Sequence, residues 1–235
     1  MTRMLVSVRS VDEALAAARG GADFIDLKEP GEGALGGLPV ATIDAIVGAL
    51  RAHGIALPVS ATIGDLPMHA LDRIRAQVDA VGACGVDYVK VGIERGPEAF
   101  AVLDALAACG WPVVPVFIAD RGLDAALTAH ACALDFPGLM VDTADKLAGS
   151  LFDAVPMADL QAFVAQVRAS GRMAGAAGAL RMAHIPVLQA LAPDFAGFRS
   201  AVCVADRKTA LCPERLAALA ALLHGEEAAL EPAAA

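Results

Sequence analysis

Two lysines define the chemistry to consider. Lys28 closes the segment Phe24-Ile25-Asp26-Leu27-Lys28, and Lys90 lies within Asp87-Tyr88-Val89-Lys90-Val91-Gly92. In both segments apolar residues alternate with polar or charged ones, the pattern of a strand whose two faces differ. Asp26 and Lys28 therefore share a face, as do Tyr88 and Lys90. A lone lysine among apolar strand residues has a plain role: its head reaches the rim or pairs with a carboxylate. Two of them, with Asp26 and Asp142 on the same rim, point instead to a Schiff-base amine with a second cation beside it. A free lysine has a pKa of about 10.4, so roughly 1 in 2,500 is neutral at pH 7. A neighbouring cation and partial burial both favour the neutral amine. A pKa lowered to about 7.4 leaves roughly a quarter neutral, a gain of about three orders of magnitude in nucleophile.

These residues need a scaffold that brings strand ends together. Strand patterns occur at residues 4–8, 24–28, 57–63, 86–91, 113–118, 138–142, 172–176 and 195–200. Between and after them, helical patterns cover residues 11–19, 42–53, 67–83, 97–109, 123–134, 157–169, 182–191 and 214–224. Ser10 is placed to cap the first helix and Gly20-Gly21 to stop it. Strands alternating with helices imply parallel pairing through right-handed crossovers. Eight such units in 235 residues fit a single (β/α)8 TIM barrel over residues 1–225, with a frayed tail at 226–235. An open doubly wound sheet is the alternative, and a Gly-x-Gly-x-x-Gly turn after the first strand, which would favour it, is absent from the sequence.

In a barrel, the active site lies at the C-terminal ends of the strands. Parallel strands normally read as apolar runs, so polar residues there carry information. In order these are Ser7, Asp26 and Lys28, Ser60 and Thr62, Lys90, Asp142 with Lys146 four residues on, and Arg199. The loop at residues 29–39 holds four glycines and is long, as functional loops often are. Barrels commonly hold a phosphate with the loops after strands seven and eight. Here those loops are rich in Gly and Ala, with Gly178 and Gly197 allowing backbone N–H groups near an anion and Arg199 offering a charged fork. His184 reads as a cap or core histidine, and His53, His69, His130 and His224 as structural or surface groups. Asp65 and Asp120 each follow a strand and could cap the next helix or orient a catalytic group.

Composition narrows the classes. The chain is 57% hydrophobic, which excludes disorder, yet charges, Gly or Pro interrupt every apolar run before membrane-spanning length. A net charge of -9 argues against nucleic-acid binding but not against an anionic substrate at a locally basic site. Five cysteines without a CxxC pair read as free thiols of a reducing compartment, and no His/Cys cluster has metal-ligand spacing. The N-terminus enters a strand directly with no signal-peptide core, so the expected location is the cytoplasm. The apolar helices suggest a homo-oligomer. The residues alone leave open a Schiff-base condensing enzyme, another aldolase or isomerase of sugar phosphates, and a non-catalytic sugar-phosphate-binding protein.

The motifs narrow this further. Asp26-Leu27-Lys28-Glu29-Pro30 with Gly33-Ala34-Leu35-Gly36, Val59-Ser60-Ala61-Thr62-Ile63-Gly64-Asp65 and Tyr88-Val89-Lys90-Val91-Gly92 resemble the (5-formylfuran-3-yl)methyl phosphate synthase family. The likeness continues through Val141-Asp142-Thr143, Leu151-Phe152-Asp153, His184-Ile185-Pro186 and Gly197-Phe198-Arg199, in the same order over nearly the whole chain. The resemblance implies a carbon–oxygen lyase that makes a furan phosphate from two molecules of glyceraldehyde 3-phosphate, with loss of water and one phosphate. Its product feeds methanofuran-type one-carbon carriers. By motif, Lys28 would form the Schiff base, Lys90 would accept the proton, and Asp26, Asp142 and Lys146 would support them. Neither a metal nor a cofactor is implied, because the imine is the electron sink. The family pattern also has a lysine associated with strand five. Residues 111–121 contain none, so that role is either absent or passed to Arg121.

Overall fold

The computed structural model describes residues 1–33, 35–145 and 148–225. Ala34, Lys146, Leu147 and the 226–235 tail lie outside the described residues. Eight parallel strands close into a barrel in chain order, the expected TIM-barrel architecture. They are β1 (Arg3–Val8), β2 (Phe24–Leu27), β3 (Val59–Thr62), β4 (Tyr88–Ile93), β5 (Val113–Ile118), β6 (Gly138–Asp142), β7 (Met173–Ala176) and β8 (Phe195–Phe198). β8 returns to pair with β1, Arg3 standing opposite Phe195.

The helices cover the outside: α1 (Val11–Arg19), α2 (Val40–Ala52), α3 (Leu71–Gly82), α4 (Glu98–Ala107), α5 (Ala125–Ala133), α6 (Leu151–Ala154), α7 (Met157–Ala169), α8 (Ile185–Leu191) and α9 (Pro213–His224). Ser10 caps α1 as expected, its Oγ accepting from Glu13 N at 3.3 Å. Asp124 caps α5 through the N–H groups of Ala126 and Leu127. Most element ends shift by one or two residues from the sequence reading, and two larger differences have a visible cause. α3 starts at Leu71 rather than residue 67, because Ala70 N–H turns back to Pro67 O. The four-residue α6, too short to show a period, forms because Asp153 Oδ2 accepts from both the N–H and the Oγ of Ser150, at 2.8 and 2.7 Å.

The core has two shells. The outer one lies between strands and helices and includes Ile25, Leu27, Val89, Val91 and Phe136. The inner one fills the barrel with Leu5, Phe24, Val114, Val116, Met140 and Phe195. Phe24 and Phe195 meet there, ring centroids 5.6 Å apart. Gly175 leaves room for this contact, since a Cβ at that position would lie 2.2 Å from the Phe195 ring. This apolar plug fills the lower barrel.

The N-terminal ends of the strands carry a different device. Asp23, Asp87 and Asp194 each precede a strand. Each grips one residue of the neighbouring strand twice, its carboxylate taking the N–H of Met4 (2.6 Å), Val59 (2.8 Å) or Ala174 (2.8 Å). The backbone N–H of the same aspartate donates to the carbonyl of the same neighbour, at 2.8 Å in all three cases. These contacts fix strand register at the closed end of the barrel. Among the described residues no helix is long and apolar enough to cross a membrane.

Candidate active site

Above the apolar plug, the inward positions become polar. Register places Ser7 of β1 beside Asp26 of β2, and Asp26 beside Ser60 of β3. All three side chains are buried and their polar atoms satisfy one another. Asp26 Oδ2 accepts from Ser7 Oγ at 3.0 Å, and Oδ1 accepts from Ser60 Oγ at 2.7 Å. Oδ1 also accepts from Lys90 Nζ at 2.9 Å. Burial alone would raise the Asp26 pKa. The Lys90 ammonium, then that of Lys28, and the hydrogen bonds from Lys90 and Ser60 outweigh it and hold the carboxyl below its ordinary range. Asp26 is thus an ionised anchor that keeps Lys90 in place.

Lys28 follows the last residue of β2 and is 7% exposed. Its Nζ lies 3.5 Å from Asp142 Oδ2, at the end of β6. Asp142 Oδ1 in turn accepts the N–H of Thr143 at 2.8 Å. Each lysine therefore has its own carboxylate, and both ammonium groups act on Asp26. The sequence placed Lys28 and Lys90 on one rim, and the strands bring them to one cavity.

That cavity has a volume of about 530 Å³, including its open mouth. Ser7, Asp26, Lys28, Lys90 and Asp142 line it. So do Gly178, Ala179 and Leu180 after β7, Gly197 in β8, and Arg199, Ser200 and Arg207 beyond it. Gly178 has φ +119, a backbone conformation that glycine adopts without strain. Ala179 has φ +46, uncommon for a residue with a side chain. Among the described residues, the N–H groups of Ala179 and Leu180 have no protein acceptor, which leaves two donors at the cavity wall.

Several expected site residues take other places. Ser60 acts on Asp26 and does not line the cavity. Thr62 is buried with its Oγ1 donating to Gly36 O at 2.9 Å, so it supports the glycine-rich loop rather than facing the cavity. Lys146 lies outside the described residues. Arg199 reaches the cavity wall, but its guanidinium is not a free phosphate fork. Nη1 donates to Glu13 Oε2 (2.6 Å) and Ser7 O (3.1 Å), Nη2 to Glu13 Oε1 (3.0 Å) and Thr209 O (2.8 Å), and Nε to Arg207 O (2.8 Å). Those bonds use all of its N–H donors. The sequence could not reveal this, because Glu13 is remote in the chain and reads as an ordinary first-turn acid of α1.

The remaining candidates resolve as supports. His184 caps its own turn, its Nδ1 accepting from Arg181 N at 3.2 Å. Burial, then the Arg181 charge, lowers its pKa against the opposing pull of Asp153. Asp65 and Asp120 cap no helix. Asp65 takes the N–H of Leu35 in the loop after β2, and Asp120 takes those of Ala144 and Asp145 in the loop after β6. Arg121 is exposed in the turn after β5 and does not line the cavity. Among the described residues no group of three or more His, Cys, Asp or Glu side chains is arranged to hold a metal ion.

The 4-HFC-P synthase family model matches residues 4–220. The chain belongs to that family. Its relatives include a Methylorubrum extorquens protein, provisionally named (5-formylfuran-3-yl)methyl phosphate synthase, which is 40% identical over 92% of this chain and 89% of its own length. The (5-formylfuran-3-yl)methyl phosphate synthase of Archaeoglobus fulgidus is 34% identical over 95% of this chain and all of its own. Solved structures add the fold alone. The phosphoribosyl anthranilate isomerase of Thermus thermophilus superposes with a TM-score of 0.65 at 19% identity, over 96% of this chain and 100% of that one. As a member of the 4-HFC-P synthase family the chain is an enzyme. Its β5 departs from the pattern that the resemblance implies, since Val114, Val116 and Ile118 present only apolar groups to the barrel interior.

Proposed function

We propose that this enzyme condenses two molecules of glyceraldehyde 3-phosphate to (5-formylfuran-3-yl)methyl phosphate through an imine on Lys28, supplying a methanofuran-type carrier. The observation that carries the reading is the pair of buried lysines in one cavity, each on its own carboxylate, Lys90–Asp26 at 2.9 Å and Lys28–Asp142 at 3.5 Å. The names of the relatives support the product.

In this scheme Lys28 Nζ attacks the carbonyl carbon of one triose phosphate, and water leaves as the imine forms. Asp142 stands close enough to take the ammonium proton before attack and to return one as the hydroxyl departs. The imine acidifies the adjacent C–H, and Lys90 moves that proton while Asp26 fixes its position. The enamine then attacks the aldehyde of the second triose phosphate. Ring closure and eliminations complete a balance in which two triose phosphates give the furan phosphate, one inorganic phosphate and two waters. The free N–H groups of Ala179 and Leu180, beside Gly178 and Gly197, suit a phosphate at the cavity wall.

The test is glyceraldehyde 3-phosphate as sole substrate for the purified protein. A product with the mass of the furan phosphate and a near-ultraviolet chromophore is expected, with one inorganic phosphate released per ring. A non-aromatic six-carbon phosphate would make the chain an aldolase or isomerase instead.

A further inference from the structure

The 203–212 loop carries a cation that the scheme above does not use. Arg207 is half-buried and lines the cavity with Lys28 and Asp142. Among the described residues its guanidinium has no hydrogen-bond or ion-pair partner. Burial pulls its pKa down, while the charges of Asp142 and Glu29 oppose and that of Arg199 assists. A partly buried guanidinium that meets no acceptor has lost water without gaining a partner, which is costly unless a ligand supplies one.

The loop around it is held with unusual firmness. Three consecutive carbonyls are gripped by two arginines from elsewhere in the fold. Arg199 takes Arg207 O and Thr209 O, each at 2.8 Å, and Arg9 takes Lys208 O at 2.6 Å. Arg199 is itself braced by Glu13. Within the turn, Asp206 O accepts from Thr209 N at 3.0 Å and from Thr209 Oγ1 at 2.7 Å, and Asp206 Oδ1 accepts from Lys208 N at 2.8 Å. These contacts use the main chain of Arg207 and leave its side chain uncommitted. The buried Arg199–Glu13 pair thus builds the platform, and Arg207 is the group presented to the cavity.

Charge points to the ligand. Among the described residues, Lys90 pairs with Asp26 and Lys28 with Asp142. Arg207 adds a positive charge at the wall, and its planar fork matches two oxygens of a phosphate monoester. We propose that Arg207 binds the phosphate of the triose phosphate, the role that the sequence alone gave to Arg199. This rests on the sugar-phosphate reading of the site.

The test compares Arg207→Ala and Arg207→Lys with the wild type. Neither substitution removes a contact that holds the loop, and circular dichroism checks the fold. Two readouts are taken: KM for glyceraldehyde 3-phosphate, and borohydride trapping on Lys28 of glyceraldehyde 3-phosphate and of unphosphorylated glyceraldehyde. Arg207→Ala is expected to raise KM on the order of 10- to 100-fold, as loss of charged hydrogen bonds does. Arg207→Lys, which keeps the charge but loses the fork, falls between. Trapping of the phosphate-free aldehyde is expected at the wild-type rate in all three. A wild-type KM in folded Arg207→Ala overturns the assignment, as does an equal loss of trapping with both aldehydes. Failure of wild-type Lys28 to trap either aldehyde overturns the imine scheme instead, and the KM comparison still decides Arg207.

Discussion

Asp23 and Asp26 lie three residues apart and do opposite work at the two ends of β2. Asp23, at the closed end, accepts the N–H of Met4 at 2.6 Å and contacts His224 Nε2 at 2.9 Å. Asp26, at the open end, holds a buried lysine ammonium and two hydroxyls. The contrast repeats around the barrel. Asp23-Phe24, Asp87-Tyr88 and Asp194-Phe195 each begin a strand with a register-fixing carboxylate and an aromatic facing the interior. Two residues beyond each aromatic stand Asp26, Lys90 and Gly197, all lining the cavity. The strand period decides which residues face inward. Distance from the apolar plug decides whether an inward residue serves stability or chemistry.

Substitutions at the two ends should therefore separate, and the largest effect belongs to the open end. Lys28→Ala is expected to lower kcat at least about a thousandfold, because no other amine takes its place as nucleophile. Steady-state rates with glyceraldehyde 3-phosphate check this. Asp26→Asn leaves Lys90 buried without its carboxylate and is expected to cost about 3–5 kcal/mol by urea unfolding, as well as most activity. Asp23→Asn is the matched change at the closed end. It should cost about 1–2 kcal/mol, the loss of charged hydrogen bonds near the surface, with kcat within about twofold of wild type. Equal losses of activity in these two variants would erase the distinction between the ends.

The smallest effect tests the electrostatics of Asp26. Ser60→Ala removes one hydrogen bond that helps hold this carboxyl low. A carboxyl with a depressed folded pKa contributes stability that is present above its unfolded value of about 3.9. That contribution is lost as pH falls through the folded value. Ser60→Ala should therefore be about 1 kcal/mol less stable than wild type at neutral pH. The gap should narrow as acid protonates Asp26. Urea titrations from pH 7 downward measure it, and a gap that widens in acid would contradict the assignment.

Much of the open end was legible because its residues break a rule. Asp26, Lys28, Lys90 and Asp142 are charges at the ends of apolar strands, and alternation showed which of them face the same way. The barrel followed from eight strand and helix periods. Arg199 was misread because residue type and position suggested a phosphate fork, while its commitment depends on Glu13, a contact across 186 residues. Arg207 gave no signal, since an irregular loop has no period and its orientation is set by carbonyl contacts that side-chain types do not encode. Ser60 and Thr62 were placed on the right face, but their partners, Asp26 and Gly36 O, decide that they support the site rather than bind substrate.

Covalent trapping at the open end tests the central claim most directly. Protein incubated with glyceraldehyde 3-phosphate and sodium borohydride, then digested and sequenced by mass spectrometry, should carry one reduced triose phosphate on Lys28 and none on Lys90. The adduct should be absent from Lys28→Ala. Turnover with no adduct on Lys28, or an adduct on Lys90 in its place, would contradict it.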